Sequence, residues 1–202
     1  MQYLLNFLWA AIAAIFIENT IFTRALGTSR LLMVARSPKT MLKFGVMLTA
    51  VTTVSGFIAF FANQLLRPIP YKDYLEPLLN VLILTGVFAL GCVLQRFLFP
   101  DAYRKMNEIL LLAVFNCATL GAILLPAHNS MLNQAVSFPS WLGFSFGTGI
   151  AFFLATVLVA EGIRKFKDSK IPRSFRGLPA SLIYIGILSL AFYGLIGHEL
   201  PF

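Results

Sequence analysis

The residues from Ile17 to Arg30, IENTIFTRALGTSR, decide how the rest of the chain is read. They follow an apolar run, Tyr3 to Ile17, whose one polar residue is Asn6. Glu18, Asn19, Thr20, Thr23 and Arg24 then arrive early, because a spanning helix needs ~20 apolar residues. A carboxylate near mid-membrane costs at least ~2.5 kcal/mol on the mildest scale, so a simple anchor would not carry Glu18. The stretch predicts a helix that loses its regular form inside the membrane, facing protein or a cavity rather than lipid. A second stretch, Asn116-Cys117-Ala118-Thr119-Leu120-Gly121, breaks a later apolar run in a similar way. The two interruptions are expected to meet near the bilayer midplane and to form the working site.

Composition supports this setting. Of 202 residues, 58% are hydrophobic and 12% charged, with mean hydropathy +0.82; soluble domains carry about 25% charged residues. The chain reads as one transmembrane domain over 1–202, all-α, with the bilayer as its first partner. The net charge of +8 does not point to nucleic acid, because the cations lie in the connections between apolar runs. Cys92 and Cys117 both sit inside such runs, which argues against a disulfide framework. The N-terminus lacks a basic leader and a small-residue cleavage site, so it reads as the first span rather than a removed signal peptide.

Six apolar segments stand out, at about 3–23, 41–66, 78–99, 107–125, 138–163 and 178–197. Pro38 and Pro139 lie just before the second and fifth, where proline suits a helix start. Pro68, Pro70, Pro77, Pro100, Pro126, Pro172 and Pro179 fall at or near segment ends, as breakers should. Fourteen Lys and Arg occupy the first, third and fifth connections, against Arg67 and Lys72 on the other side. The positive-inside rule then places both termini outside the cytoplasm. Six spans divide into two inverted three-helix repeats, about 1–100 and 101–202. Asn19 and Asn116 each open an interruption that runs into Leu-Gly (Leu26-Gly27 and Leu120-Gly121). The next helix of each half starts at a proline and carries Phe-Gly (Phe44-Gly45 and Phe146-Gly147). Inverted repeats with broken helices in matching positions place a site at their interface.

Each candidate residue has a functional and a plain reading. Cys117 is a ligand or a small buried hydrophobe; Cys92, with no motif around it, reads as packing. Glu18 marks an ion or proton path or pairs with Arg24, which an unbroken helix would not allow at a separation of six. Asn19 and Asn116 satisfy freed backbone groups or contact an ion. Gly27 and Gly121 serve backbone conformation and close packing. Glu161 beside Arg164 and Lys165 reads as a surface pair. The run from Arg164 to Arg176 marks topology and meets headgroups, with docking of an acidic partner as the alternative. His128 and His198 lie in outer connections and suggest no metal site. No phosphate loop, no serine–histidine–acid set and no flavin or nucleotide site is visible, so the chain alone is expected to complete no reaction.

The two interruptions resemble the membrane subunits of the Rnf and Nqr complexes, the family of RnfA, RnfE, NqrD and NqrE. Their marks are an Asn-containing stretch ending in Leu-Gly-x-Cys in helix one and Asn-Cys followed by Leu-Gly in helix four. Here these are Asn19…Leu26-Gly27-Thr28-Ser29 and Asn116-Cys117-Ala118-Thr119-Leu120-Gly121. Pro172-Arg173-Ser174-Phe175-Arg176-Gly177, Leu182-Ile183, Gly186 and Ser189-Leu190-Ala191-Phe192 look most like RnfA. The resemblance covers nearly the whole chain. It implies a prokaryotic plasma (inner) membrane and two such subunits, a hetero- or homodimer, paired in opposite orientations. It also implies other redox subunits as partners and a [2Fe-2S] cluster shared between four cysteines midway across the bilayer. The cluster would relay electrons while the complex moves Na⁺ or H⁺. Cys117 matches the helix-four ligand, but Ser29 stands where the family has the helix-one cysteine. A hydroxyl is a much poorer iron ligand than a thiolate, so one such subunit brings one good ligand. The charged, broken first helix also admits a different class: a cluster-less transporter component in which Glu18 and Arg24 bind a solute or ion.

Overall fold

A computed structural model describes residues 2–35, 37–66, 68, 71–98, 100, 102–131, 137–168, 172 and 175–196. The regular elements among them are helices: α1 (Gln2–Phe16), α2 (Thr28–Val34), α3 (Pro38–Leu66), α4 (Lys72–Leu98), α5 (Tyr103–Val114), α6 (Cys117–Met131), α7 (Phe138–Asp168) and α8 (Leu178–Ile196). Arg36, Arg67, Pro70, Lys170, Arg173, Ser174 and His198, with the side chains of Lys39, His128 and Lys167, lie outside the described residues.

Thr40–Leu66, Tyr74–Leu98 and Phe138–Phe166 are each long and apolar enough to cross a membrane. Tyr103–Val114 and Cys117–Pro126 pass that test together as one span bent by 45°. Gln2–Phe16 and Leu178–Gly194 are apolar but shorter. The segment bounds read from hydropathy shift accordingly. The first regular helix stops at Phe16, not 23, because the polar stretch takes over the backbone there. The third begins at Lys72, not 78, with Pro77 inside the helix rather than at its edge. Pro126 is likewise inside α6. It has no N–H to offer the carbonyl of Ala122, which instead accepts a bond from Ser145 Oγ at 3.4 Å; a neighbouring serine is one way a membrane helix tolerates proline. Pro38 is the first residue of α3, the position its fixed φ favours.

The long helices α3 and α7 run antiparallel through the centre. Thr49 lies against Gly149, Gly45 against Phe153, and Phe60 against Trp141. α1 runs parallel to α7 and is seated in the notch left by Gly143 and Gly147. A β-carbon at Gly143 would run into the Phe7 carbonyl, and one at Gly147 would lie 2.6 Å from the Ala11 oxygen. Small residues four apart let two membrane backbones approach this closely. The packing is reciprocal between halves: α1 and α2 rest on α7, while α5 and α6 rest on α3. The core runs along this seam through Phe44, Leu48, Val114, Ile123, Phe152 and Val159.

Gly147→Val should lower unfolding stability in detergent by about 1–3 kcal/mol, the usual cost of overpacking. Gly186→Ala, where an added β-carbon meets nothing within 4 Å, should leave it nearly unchanged in the same assay.

Candidate functional site at the two helix breaks

The first break is closed by its own side chains. Ile17 and Glu18 both turn their N–H groups back onto the Ala13 carbonyl at 2.8 Å, and the regular ladder ends. Asn19, 1% exposed, donates from Nδ2 to the Ile15 carbonyl at 2.9 Å. Its Oδ1 accepts the N–H groups of Ile21 at 3.1 Å and Phe22 at 3.3 Å. Thr23 Oγ1 returns to the Asn19 carbonyl at 2.7 Å. One asparagine therefore serves both the end of α1 and the turn after it. That is what a broken helix needs where no water can replace the lost bonds. Ala25 (φ 55) and Gly27 (φ 82) then take left-handed conformations and swing the chain into α2.

The second break is shorter. Asn116 caps α6, its Oδ1 accepting from the Ala118 N–H at 3.3 Å, as N-cap residues do. Thr119 Oγ1 reaches back across the bend to the Ala113 carbonyl at 2.6 Å. Of the two readings left open for the asparagines, the backbone role is the one the geometry displays.

The interruptions touch. A β-carbon at Gly27 would stand 2.8 Å from Asn116 Oδ1, 3.0 Å from Phe152 Cε2 and 3.2 Å from Ala118 Cβ. One at Gly121 would stand 2.7 Å from Leu26 Cδ1. Each Leu-Gly pair thus packs against the opposite break. Among the described residues, two buried polar atoms here have no partner, Thr20 Oγ1 and Asn116 Nδ2. Ser29, two residues past Gly27, and Cys117, next to Asn116, are both exposed on the surface of the chain. Sulfur and hydroxyl are therefore not packed away as core atoms. Each lies in the first turn of the helix that follows its break.

Glu18 and Arg24 are not brought together as an ion pair. Glu18 is half-buried and Arg24 exposed, and among the described residues neither is bonded through its side chain. Glu161 does pair with Arg164, at 3.4 Å on the surface. Cys92 packs against the core, and its thiol donates to Asn107 Oδ1 at 3.1 Å. Sequence reasoning named the two stretches that meet, Leu26 among their residues, but missed Phe152, which nothing local marks.

A model of the Rnf-Nqr subunit, a membrane protein family, matches residues 7–198. The chain belongs to the Rnf-Nqr family of membrane subunits. It is 31% identical over 192 residues to the A-type component of the ion-translocating oxidoreductase complex of Syntrophotalea carbinolica, covering 95% of this chain and 97% of that one. It is 27% identical over 196 residues to the A-type component of the Na(+)-translocating ferredoxin:NAD(+) oxidoreductase complex of Acetobacterium woodii, covering 97% and 100%. With the E-type component of the Na(+)-translocating NADH-quinone reductase of Haemophilus influenzae it shares 31% over 200 residues, covering 94% and 96%. All three relatives are named as subunits of larger complexes.

The donor set of this Rnf-Nqr subunit can be tested against a [2Fe-2S] cluster, which takes four thiolates or, in one variant, histidines in place of two. Among the described residues no three His, Cys, Asp or Glu side chains gather. The breaks supply one thiolate, Cys117, and one hydroxyl, Ser29. The chain's own residues do not fit such a cluster; they are at most part of a set completed by another subunit.

Gly27→Ala should destabilise the protein by at least about 1–2 kcal/mol, the cost of a left-handed backbone for a residue with a β-carbon, with the approach to Asn116 adding to it. Gly86→Ala, with open space and no such backbone strain, is the matched control in a detergent melt.

Proposed function

We propose that this chain is the RnfA-like membrane subunit of an ion-translocating electron-transfer complex of a prokaryotic plasma membrane. It would cross as six spans, two inverted three-helix repeats, with both termini on the non-cytoplasmic side. The observation that carries the reading is the contact between the two breaks, with Cys117 and Ser29 exposed in the helix turns that follow them. The reciprocal packing of α1 and α2 on α7 and of α5 and α6 on α3 supports the repeat. The asymmetry of Lys and Arg supports the orientation. The names of the relatives supply the coupling of redox chemistry to ion movement.

In this reading Cys117 is donated to a redox centre, a [2Fe-2S] cluster, completed by a second membrane subunit of the same family packed in opposite orientation. Ser29 faces the same centre as the position of the missing ligand. Asn19 and Asn116 hold the backbone open around it, and Glu18 and Arg24 line the ion path. When bound, the cluster supplies one-electron transfer; the chain's part is to offer a sulfur and to keep the surrounding backbone satisfied. Iron content of the complex purified anaerobically is the test. Cys117→Ala should abolish the iron that depends on this subunit, and Ser29→Cys should raise its occupancy. Iron unchanged by Cys117→Ala removes Cys117 from the reading.

A second reading is favoured by Ser29 together with the half-buried Glu18, which among the described residues forms no ion pair. In it the subunit is a cluster-less transporter component that binds a solute or ion at Glu18 and Arg24. Glu18→Gln should then reduce uptake into proteoliposomes at least tenfold; full uptake by that variant excludes it.

A further inference from the structure

Two grooves on the bundle are lined by apolar side chains, one between α3 and α7 and one among α3, α4 and α5. A third cavity, of about 320 Å³, differs from both. It lies where the end of α2, the end of α7 and the start of α8 converge, and its wall includes Ala35, Ile163, Arg164, Gly177, Leu178 and Ser181. This is the end of the bundle at which α3 starts and α7 finishes. Lys43, Arg96, Arg104, Lys105, Lys165 and Arg176 belong to the same end, as the antiparallel packing of successive long helices requires.

We propose that this cavity binds the phosphate-bearing headgroup of an anionic phospholipid, with Arg164 as its charged contact. Four observations support it. The cavity is at the lower end of the ~300–1,000 Å³ range of ligand sites, enough for a phosphate with part of its glycerol. Among the described residues its wall is divided between one cationic side chain, Arg164, and the apolar faces of Ile163, Leu178 and Ala35. That division fits the junction of headgroup and acyl chain; a free phosphate would have no use for the apolar part. Gly177 keeps a left-handed backbone (φ +90) with nothing within 4 Å of where a β-carbon would stand, so the mouth stays open beside the start of α8. Finally, among the described residues Arg164 is held only by Glu161, at 3.4 Å, with both side chains more than half exposed. Such a pair contributes little and yields readily to a phosphate. Basic pockets between membrane helices at the bilayer surface are where anionic headgroups are recognised. The inference does not depend on the redox reading of the breaks.

The test is native mass spectrometry of the full chain released from nanodiscs made with equal amounts of phosphatidylglycerol and phosphatidylcholine. Phosphatidylglycerol should be retained in preference. Arg164→Gln should reduce its retention at least about tenfold, as expected for loss of a hydrogen bond between charged partners. Lys165→Gln, with the same loss of charge but off the cavity wall, should leave retention unchanged. Glu161→Gln should increase it, because the competing carboxylate is gone. Equal loss in Arg164→Gln and Lys165→Gln would reduce the effect to diffuse surface charge and overturn the site. Equal retention of phosphatidylcholine would leave only an apolar cleft. Displacement of the lipid by inorganic phosphate would make it a free-anion site; each of these results overturns the proposal.

Discussion

The close approach of Gly27 to Asn116 is the contact on which the rest of the molecule turns. Two helices are opened inside an apolar bundle, and an open backbone there must find its hydrogen bonds within the protein. Asn19, Thr23, Asn116 and Thr119 supply those bonds locally. What local bonds cannot supply is a reason for the breaks to face each other. Packing does that: Gly27 lets Asn116, Ala118 and Phe152 reach the backbone, and Gly121 receives Leu26. A β-carbon at Gly27 would crowd Asn116 and strain a left-handed backbone.

The long helices make this contact possible. α3 and α7 cross the bundle side by side, and each supports the broken helices of the opposite half. The notch at Gly143 and Gly147 holds α1 against α7. α5 and α6 meet at a bend of 45°. Asn19 and Asn116 are buried at the breaks, while Ser29 and Cys117 are exposed. The relatives are all named as parts of larger complexes.

Much of this is legible in the residues. Glu18 and Asn19, arriving after fifteen mostly apolar positions, announce the first break, and Asn116-Cys117 announces the second, because polar groups at such depth are too costly to be incidental. The backbone role of Gly27 is readable in the same way. The ends of the helices are less legible. Hydropathy cannot tell an apolar turn from an apolar helix, so it counts Ile17 to Phe22 in the first span. A local rule makes proline an edge marker, yet Pro77 and Pro126 lie inside helices. The bond lost at Pro126 is offset by Ser145, twenty-three residues from Ala122 and so invisible to a local rule.

Short stretches of residues are enough to show that the chain belongs in a bilayer and that two of its apolar runs are interrupted. These follow from transfer free energies and spacing, which are local properties. The folded chain shows Asn19 and Asn116 bonded to backbone groups a few residues away, and Gly27 and Gly121 each closing on the opposite break. The second outcome is the one only the tertiary structure decides, because it depends on distances between residues far apart in the chain, set when α3 and α7 pack and bring the two halves into contact.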